Sequence, residues 1–565
     1  MDGADLNLAC AWALVDGLVA GGVRDACVSP GSRSTPLALA LARHPEVTVH
    51  VHLDERSSGF FALGLARATG SPVALACTSG TAAAEYLPAV VEASQSRVAL
   101  VALTADRPPR LRGTGANQTI DQVGLYGDYA RSALDLPLPE AAGQEAWWRQ
   151  AAREALEAAF GDPPGPVHVN CPFEEPLSPS ADAGLPAPTG EALDLPQRPD
   201  AELTVEEADR LAELVSGARG AVLIGGWPGD LSDAARFWAQ ECGWPVIAEP
   251  TSGVHRPGVS LGAGRALLAT EPWIARRSPD VVIQLGAAPT SRPTHRFITT
   301  ADRLVVADRW HLDADADRLA SWRIAVDAEA LTHALRGHAG RPQPPPADWS
   351  QAWLDADRAA RAALDDFLDG VDEPFEPRIA RDVAAAVPDG GTLFVGNSSP
   401  VRDLDLAMAP REGLRVLANR GASGIDGLVS TALGIAAGGP GPTVALLGDL
   451  SFLYDLGTVA WNARRGLDAT VVVVRNGGGE LFSQLPQAEL PERELFVTPH
   501  EADLGALTLA TGAGHRVVEH ADAVGPALTE AVRDGGLQVV EVAVDAAGAG
   551  ALRAGMGAAI AAAVG

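Results

Sequence analysis

The chain has 565 residues, 47% of them hydrophobic, and a formal net charge of −29 from 72 acidic and 43 basic residues. That length exceeds what one hydrophobic core organises, so two to four domains are expected, and the acidity opposes broad contact with nucleic-acid phosphates. Every Lys/Arg position is arginine; an acidic, lysine-free chain fits either a salt-rich cytoplasm, where screening limits self-repulsion, or GC-rich codon usage.

In chain order, Cys27 and Val28 end an apolar run that Ser29, Pro30 and Gly31 break, and Leu37 to Ala42 read as a short helix. Val47 to Leu53 read as a strand ending at Asp54 and Glu55, followed by a helix over Phe60 to Ala68. Val73 to Cys77 and Val98 to Thr104 are further strands. Short apolar runs alternating with helices predict a parallel sheet covered on both faces, hence a first α/β domain over residues 1–185. Glu175 to Thr204 is rich in turn formers and reads as a linker. Ala221 to Gly226, Val281 to Gly286 and Leu304 to Ala307 predict a central α/β domain over residues 186–345, ended by the stiff run Arg341-Pro342-Gln343-Pro344-Pro345-Pro346. A third α/β domain, residues 346–565, opens with a long helix near Trp349 and has strands at Thr392 to Gly396, Thr443 to Gly448 and Thr470 to Val474. The Ala-rich tail from Ala546 reads as a small-residue helix or a fraying end, and the first and third regions could be related domains.

With aromatic residues at only 5%, the core is expected to be filled largely by Ala, Val and Leu. The cysteines Cys10, Cys27, Cys77, Cys171 and Cys242 lack metal-ligand spacing and, being odd in number, cannot all pair, which fits a reduced cytoplasmic protein. Glycine and proline interrupt the apolar stretch from Thr431 to Leu447, so neither a transmembrane nor a targeting segment is expected.

Ligands in open α/β sheets gather beyond the carboxyl ends of strands, so the residues there carry the chemistry. Gly448, Asp449 and Leu450 follow Val444 to Leu447, and Asn476 lies 27 positions beyond Asp449, after Val471 to Val474. Two such strand ends bring a carboxylate and an amide oxygen to one hard cation, and magnesium joins oxygen ligands of this kind to phosphate oxygens and water. Gly478 could add a backbone carbonyl, while Gly477, Gly478 and Gly479 let the main chain approach a diphosphate. The plainer account of the same spacing has Asp449 capping a helix and Asn476 opening a turn.

This segment resembles the signature of thiamine diphosphate enzymes, in which a Gly-Asp pair and a later Asn bind a metal–diphosphate unit. Leu450 stands where glycine is usual, and Arg475 where the first of two asparagines is common. The longer string Gly448-Asp449-Leu450-Ser451-Phe452-Leu453-Tyr454-Asp455-Leu456 is similar to one family within that group, the 2-succinyl-5-enolpyruvyl-6-hydroxy-3-cyclohexene-1-carboxylate (SEPHCHC) synthases of menaquinone biosynthesis. The resemblance implies a three-domain thiamine diphosphate enzyme fold with parallel sheets covered by helices. It also implies thiamine diphosphate and Mg2+ or Mn2+ as cofactors, with Asp449, Asn476 and Gly478 as metal ligands and Gly448, Leu450, Ser451 and Leu481 around the cofactor. Glu55, otherwise a helix cap or half of a surface ion pair, becomes the acid facing the cofactor's aminopyrimidine. Ser79, in Thr78-Ser79-Gly80-Thr81, orients backbone or cofactor groups and is no nucleophile. Because Glu55 and Asp449 fall in different regions, the cofactor must join two domains; the family's architecture implies that they meet across a subunit interface in a homodimer or homotetramer.

Several cationic or amide side chains also sit at loop ends. Ser32 and Arg33 follow Pro30-Gly31, Arg107 follows Ala105-Asp106, and Asn117 and Gln118 follow Gly113-Thr114-Gly115-Ala116. Ser398 and Arg402 follow Gly396-Asn397, and Arg420 lies in Asn419-Arg420-Gly421-Ala422-Ser423-Gly424. Arginine makes two aligned contacts with a carboxylate; surface ion pairing accounts for any one of these, but several at successive loop ends point to an acidic substrate. They are similar to the polyanion pocket of the synthases, with Phe482 and Leu485 as an apolar wall, although core packing would explain those two equally. The resemblance implies decarboxylation of 2-oxoglutarate and addition of its succinyl carbon to isochorismate, without stable membrane insertion. Another thiamine diphosphate 2-oxoacid carboligase or decarboxylase would share Glu55, Asp449 and Asn476 but not require the arginine set. An inactive ligand-binding scaffold is the alternative that Leu450 and Arg475 favour. The central region has no nucleotide motif, so FAD is not expected, and Arg292 and His295 there could be structural.

Overall fold

The valine- and leucine-rich runs between helices form strands that are apolar on both faces, as a sheet sandwiched between helix layers requires. The structure, a computed structural model, describes residues 3–180, 184–195, 201–226, 229–310, 315–337 and 342–565. The first sheet comprises β1 (Asp25–Val28), β2 (Thr48–Val51), β3 (Val73–Cys77), β4 (Leu100–Asp106), β5 (Ala133–Asp135) and β6 (Val167–Pro172), in the order β2-β1-β3-β4-β6-β5. The central sheet has β7 (Gly220–Ile224), β8 (Val246–Ala248), β9 (Val281–Leu285), β10 (Arg303–Ala307) and β11 (Trp322–Ile324), in the order β11-β10-β9-β7-β8. The third has β12 (Gly391–Val395), β13 (Leu414–Leu417), β14 (Thr443–Gly448), β15 (Ala469–Arg475), β16 (Gly514–Val518) and β17 (Leu537–Ala543), in the order β13-β12-β14-β15-β17-β16. All pairings among described residues are parallel; Val444 faces Thr470 and Leu393 faces Val444. The first and third sheets share one strand order, as related domains would.

The helix predicted over Phe60 to Ala68 begins earlier, at Glu55, because the Asp54 side chain accepts from the amides of Arg56 and Ser57 and starts it. The resulting helix Glu55–Thr69 crosses the helix Leu428–Gly438 of the third domain, and one apolar cluster, including Phe60, Phe61, Leu428 and Leu433, spans both domains. Ala, Val and Leu make up most of the buried core, as expected. The scarce aromatics are concentrated inside, with Trp148, Trp238, Trp273 and Trp353 among the largest fully buried side chains. The helix Ala347–Asp369 lays Trp353 edge-on against Trp273, with ring centroids 4.6 Å apart, and so packs on the central domain.

Parts of the Glu175–Thr204 stretch and Arg341 of the proline-rich run lie outside the described residues. Two helices, Gly3–Ala20 and Ala546–Val564, are long and apolar enough to cross a membrane by length and composition alone, a test that a core helix also passes. The first is 78% buried within the protein and the second 11%. The Ala-rich tail is thus helical.

Candidate active site

Strand order in the third sheet reverses between β12 and β14, and the loops leaving β12, β14 and β15 diverge there to open a cavity of ≈130 Å³. Asn397 and Ser398 line it from β12, Gly448, Asp449, Leu450 and Ser451 from β14, and Asn476, Gly478, Leu481 and Phe482 from β15. Leu485 does not line it; it sits between the short helices Glu480–Gln484 and Pro486–Glu489.

Asp449 is buried and does not cap its helix. One carboxylate oxygen, Oδ2, accepts from the amides of Asn476 (3.2 Å), Gly477 (2.8 Å) and Gly478 (3.2 Å), while Oδ1 accepts from Leu450 (2.7 Å). The two strand ends are thereby braced together. Gly478 has φ 148°, and a Cβ there would stand 2.5 Å from the Val497 carbonyl oxygen, so the tight loop requires glycine. A Cβ at Gly448 would meet nothing within 4 Å, which leaves that face of the loop open to a ligand. His500, not singled out from the sequence, places Nε2 3.3 Å from Asp449 Oδ2. Arg475 points away from the cavity to pair with Glu541 on β17.

These residues fit a metal–diphosphate group. One carboxylate, one amide oxygen and one carbonyl are hard donors too few for a cation alone, and phosphate oxygens and water complete such a shell. Among the described residues no group of three or more His, Cys, Asp or Glu could hold a metal without that help.

The arginines of the third domain stand beside the cavity. Arg402 Nη1 donates to the Ser398 carbonyl at 2.6 Å, and Arg420 Nη1 to Asn397 Oδ1 at 2.8 Å. Ser398 has φ 71°, a left-handed conformation costly for a residue with a side chain and retained where function or surroundings demand it. Glu92 of the first domain holds the loop after Arg420, accepting from the amides of Gly421 (2.8 Å), Ala422 (2.6 Å) and Ser423 (3.3 Å). Burial lowers the pKa of Arg402, and the charges of Arg420, Arg292 and Arg265 add to the effect. Arg292, read as structural, thus belongs to a cationic cluster to which the central domain contributes. Two acids balance it. Asp405, 3.6 Å from Arg265, is pushed up to about 7, chiefly by burial and then by the charge of Glu249. Glu249 accepts from the Thr290 amide at 2.5 Å.

At the equivalent strand ends of the first sheet, Glu55 opens its helix half-buried, with its carboxyl held above the usual range by burial and by Asp54 and Glu85. Arg107 donates to the Ser79 hydroxyl and to the Gln118 carbonyl (2.9 Å), and Gln118 Nε2 donates to the Ser79 carbonyl at 2.8 Å. Arg33 is buried, donating to the Phe173 carbonyl at 2.8 Å and to Glu175 at 3.1 Å. Ser32 and Asn117 are exposed. The structure therefore gathers the expected residues into two groups, one on each of two domains, and no residue of the first domain lines the cavity.

Asn397 adjoins Gly396 just past the end of β12, and that strand-end position is the sequence signal for it. Glu92, Glu249, Arg265, Asp405 and His500 carry no motif, and only the folded topology brings them to the site.

Three family models match: "Thiamine pyrophosphate enzyme, N-terminal TPP binding domain" over residues 9–125, "Middle domain of thiamine pyrophosphate" over 195–395 and "Thiamine pyrophosphate enzyme, C-terminal TPP binding domain" over 404–542. With three parallel α/β domains and the braced Asp449–Asn476 loop at a switch point, they define the class as a thiamine diphosphate-dependent enzyme. The chain is 43% identical over 546 residues to the 2-succinyl-5-enolpyruvyl-6-hydroxy-3-cyclohexene-1-carboxylate synthase of Chloroflexus aurantiacus, covering 94% of this chain and 92% of that one. Proteins of the same name from Thermobifida fusca (43% identical, 99% of each chain) and Halobacterium salinarum (40%, 97% of each) are similar throughout. The chain belongs to the SEPHCHC synthase family.

Proposed function

We propose that the chain condenses 2-oxoglutarate with isochorismate, releasing CO2 and SEPHCHC, as a cytoplasmic step of menaquinone biosynthesis that uses thiamine diphosphate with Mg2+ or Mn2+. The observation that carries this reading beyond the family's name is the set of arginines, Arg402 and Arg420 among them, tied directly to residues that line the cavity. Both substrates are dicarboxylates, and a generic carboligase has no need of that much positive charge.

When bound, the cofactor supplies a nucleophilic carbon and an electron sink for the decarboxylation. Asp449, the Asn476 side chain and the Gly478 carbonyl would hold the cation, and Gly448, Leu450, Ser451 and Leu481, which line the cavity, would surround the diphosphate. Glu55, whose carboxyl burial holds above its ordinary range, would face a ring nitrogen of the cofactor and favour its protonation. Ser79 braces Arg107. Arg33, Arg107, Arg402 and Arg420 neutralise the substrate carboxylates, while Ser32, Asn117, Gln118 and Ser398 orient them. Phe482, which lines the cavity, would limit water at the reacting carbon.

A cavity of ≈130 Å³ is well below the ~300 Å³ of a typical small-molecule site, so one chain encloses only the diphosphate end. Glu55 then reaches the ring end from a second copy of the chain, and the active unit is a homodimer or a tetramer of two dimers.

Purified protein supplied with both substrates, thiamine diphosphate and Mg2+ is expected to release CO2 and form the coupled succinyl product, read by mass spectrometry. Omission of isochorismate abolishes the product. CO2 release without coupling when both substrates are present overturns the substrate assignment.

A further inference from the structure

The C-terminal helix Ala546–Val564 contains one charged residue, Arg553. Its small residues bring it close to the helix Ala347–Asp369; a Cβ at Gly555 would stand 3.2 Å from the Phe367 ring. Met556 and Ile560 of this helix are buried, and Arg553 also turns inward. Its Nη1 donates to Asp403 Oδ1 at 2.6 Å, and its Nη2 to Asp403 Oδ2 at 3.1 Å and Glu376 Oε2 at 3.5 Å, with the guanidinium 5.5 Å from the centre of the Phe375 ring. The side chains of Arg553, Glu376 and Asp403 are 17%, 7% and 5% exposed.

Both carboxylates line the cavity, and Glu376 also hydrogen-bonds the Asn476 side chain. Two buried acids have the wrong sign for a cavity that takes a diphosphate. Left unpaired, each would repel the ligand through a medium that screens poorly, and removing one member of a buried ion pair exposes that penalty in full. The planar fork of arginine reaches both carboxylates at once, which a point charge could not do as well.

We propose that Arg553 is a positioning residue of the cofactor site: it offsets Glu376 and Asp403 so that the cavity accepts a diphosphate, and through Glu376 it holds the Asn476 amide in place. The inference rests on the thiamine diphosphate reading above. It gives the C-terminal helix, remote in sequence from every cofactor motif, a direct electrostatic part in cofactor retention.

The test is calorimetric titration of thiamine diphosphate, at saturating Mg2+, into the full-length wild type, Arg553→Met, Asp403→Asn and the double variant. Arg553→Met is expected to bind at least about tenfold more weakly, and the double variant to recover about threefold or more of that loss, because of the two carboxylates left unpaired only Glu376 then remains. Equal binding by Arg553→Met and the wild type overturns the inference. So does a double variant as weak as Arg553→Met, since that would make Arg553 only an anchor for its helix. If Arg553→Met does not fold, Arg553→Lys replaces it and must bind the cofactor more weakly than the wild type; unchanged binding counts against the proposal. A wild type that takes up no thiamine diphosphate defeats the cofactor reading itself and the inference with it.

Discussion

Replacing Gly64 with alanine strikes the crossing that joins the first and third domains. A Cβ at Gly64 would stand 2.0 Å from the Thr431 carbonyl oxygen and 3.0 Å from the Ile435 nitrogen, and a Cβ at Gly434 would stand 2.0 Å from the Phe61 carbonyl oxygen. These obstacles are backbone atoms, which no rotamer change removes. Ordinary contact begins at 3.4 Å, so the helices must part locally by about 1.4 Å. Overpacking of this kind costs about 1–3 kcal/mol or more, against a gain of about 1 kcal/mol from alanine over glycine inside a helix. The net destabilisation, up to about 2 kcal/mol, is expected to lower the calorimetric transition by several degrees, at ~2–4 °C per kcal/mol for a domain of this size. Gly457, where a Cβ would meet nothing within 4 Å, is the control: Gly457→Ala should be neutral or mildly stabilising. Because the same crossing joins the helix begun by Glu55 to the segment after Arg420, Gly64→Ala should also weaken turnover. A Gly64→Ala protein as stable as Gly457→Ala would refute the close-packing argument.

Glu55→Gln should slow coupled turnover by about 10²–10⁴-fold while calorimetric binding of thiamine diphosphate and Mg2+ stays close to wild type; unchanged turnover would remove Glu55 from the chemistry. Asp449→Ala takes away a proposed metal ligand and the acceptor of four backbone amides, so cofactor affinity is expected to fall about a hundredfold or more, measured by the same titration. Asp455 is fully buried, accepts from the Ser430 amide at 2.7 Å, and is pushed by burial from 3.8 to about 6. The folded state therefore holds its proton more tightly than the unfolded chain. The stability this contributes is complete below 3.8 and is lost as pH rises through 6, an effect of about 3 kcal/mol. The denaturation midpoint of Asp455→Asn should accordingly gain on that of the wild type between about pH 4 and about pH 7, and a constant gap would contradict the burial argument.

The third sheet illustrates what a sequence reveals. Val444 to Leu447 and Val471 to Val474 are apolar on both faces, and glycine or a polar residue follows each, so the residue pattern by itself puts Asp449 and Asn476 at strand ends. The start of the helix at Glu55 is harder to see, because the cap on Asp54 competes with the apolar pattern that begins at Phe60. Leu485 shows the limit of an apolar pattern: it does not tell a cavity wall from a residue packed between two short helices. Glu92, Arg265 and Arg553 are not legible at all. Each acts through a partner more than 100 positions away, Gly421, Asp405 and Asp403 respectively, and its local sequence looks like any helical surface. Arg292 is legible as an arginine but not as a neighbour of Arg402, since that proximity depends on how the central domain docks.

The central claim is that two separate surfaces grip opposite ends of one cofactor, and the most direct measurement is a structure of the full chain with thiamine diphosphate and Mg2+ bound. The account predicts oxygen ligation of the metal by Asp449, Asn476 and the Gly478 carbonyl, with the aminopyrimidine ring against Glu55 of a second copy. A cofactor bound elsewhere, or a ring with no Glu55 carboxyl within hydrogen-bonding distance, would contradict it.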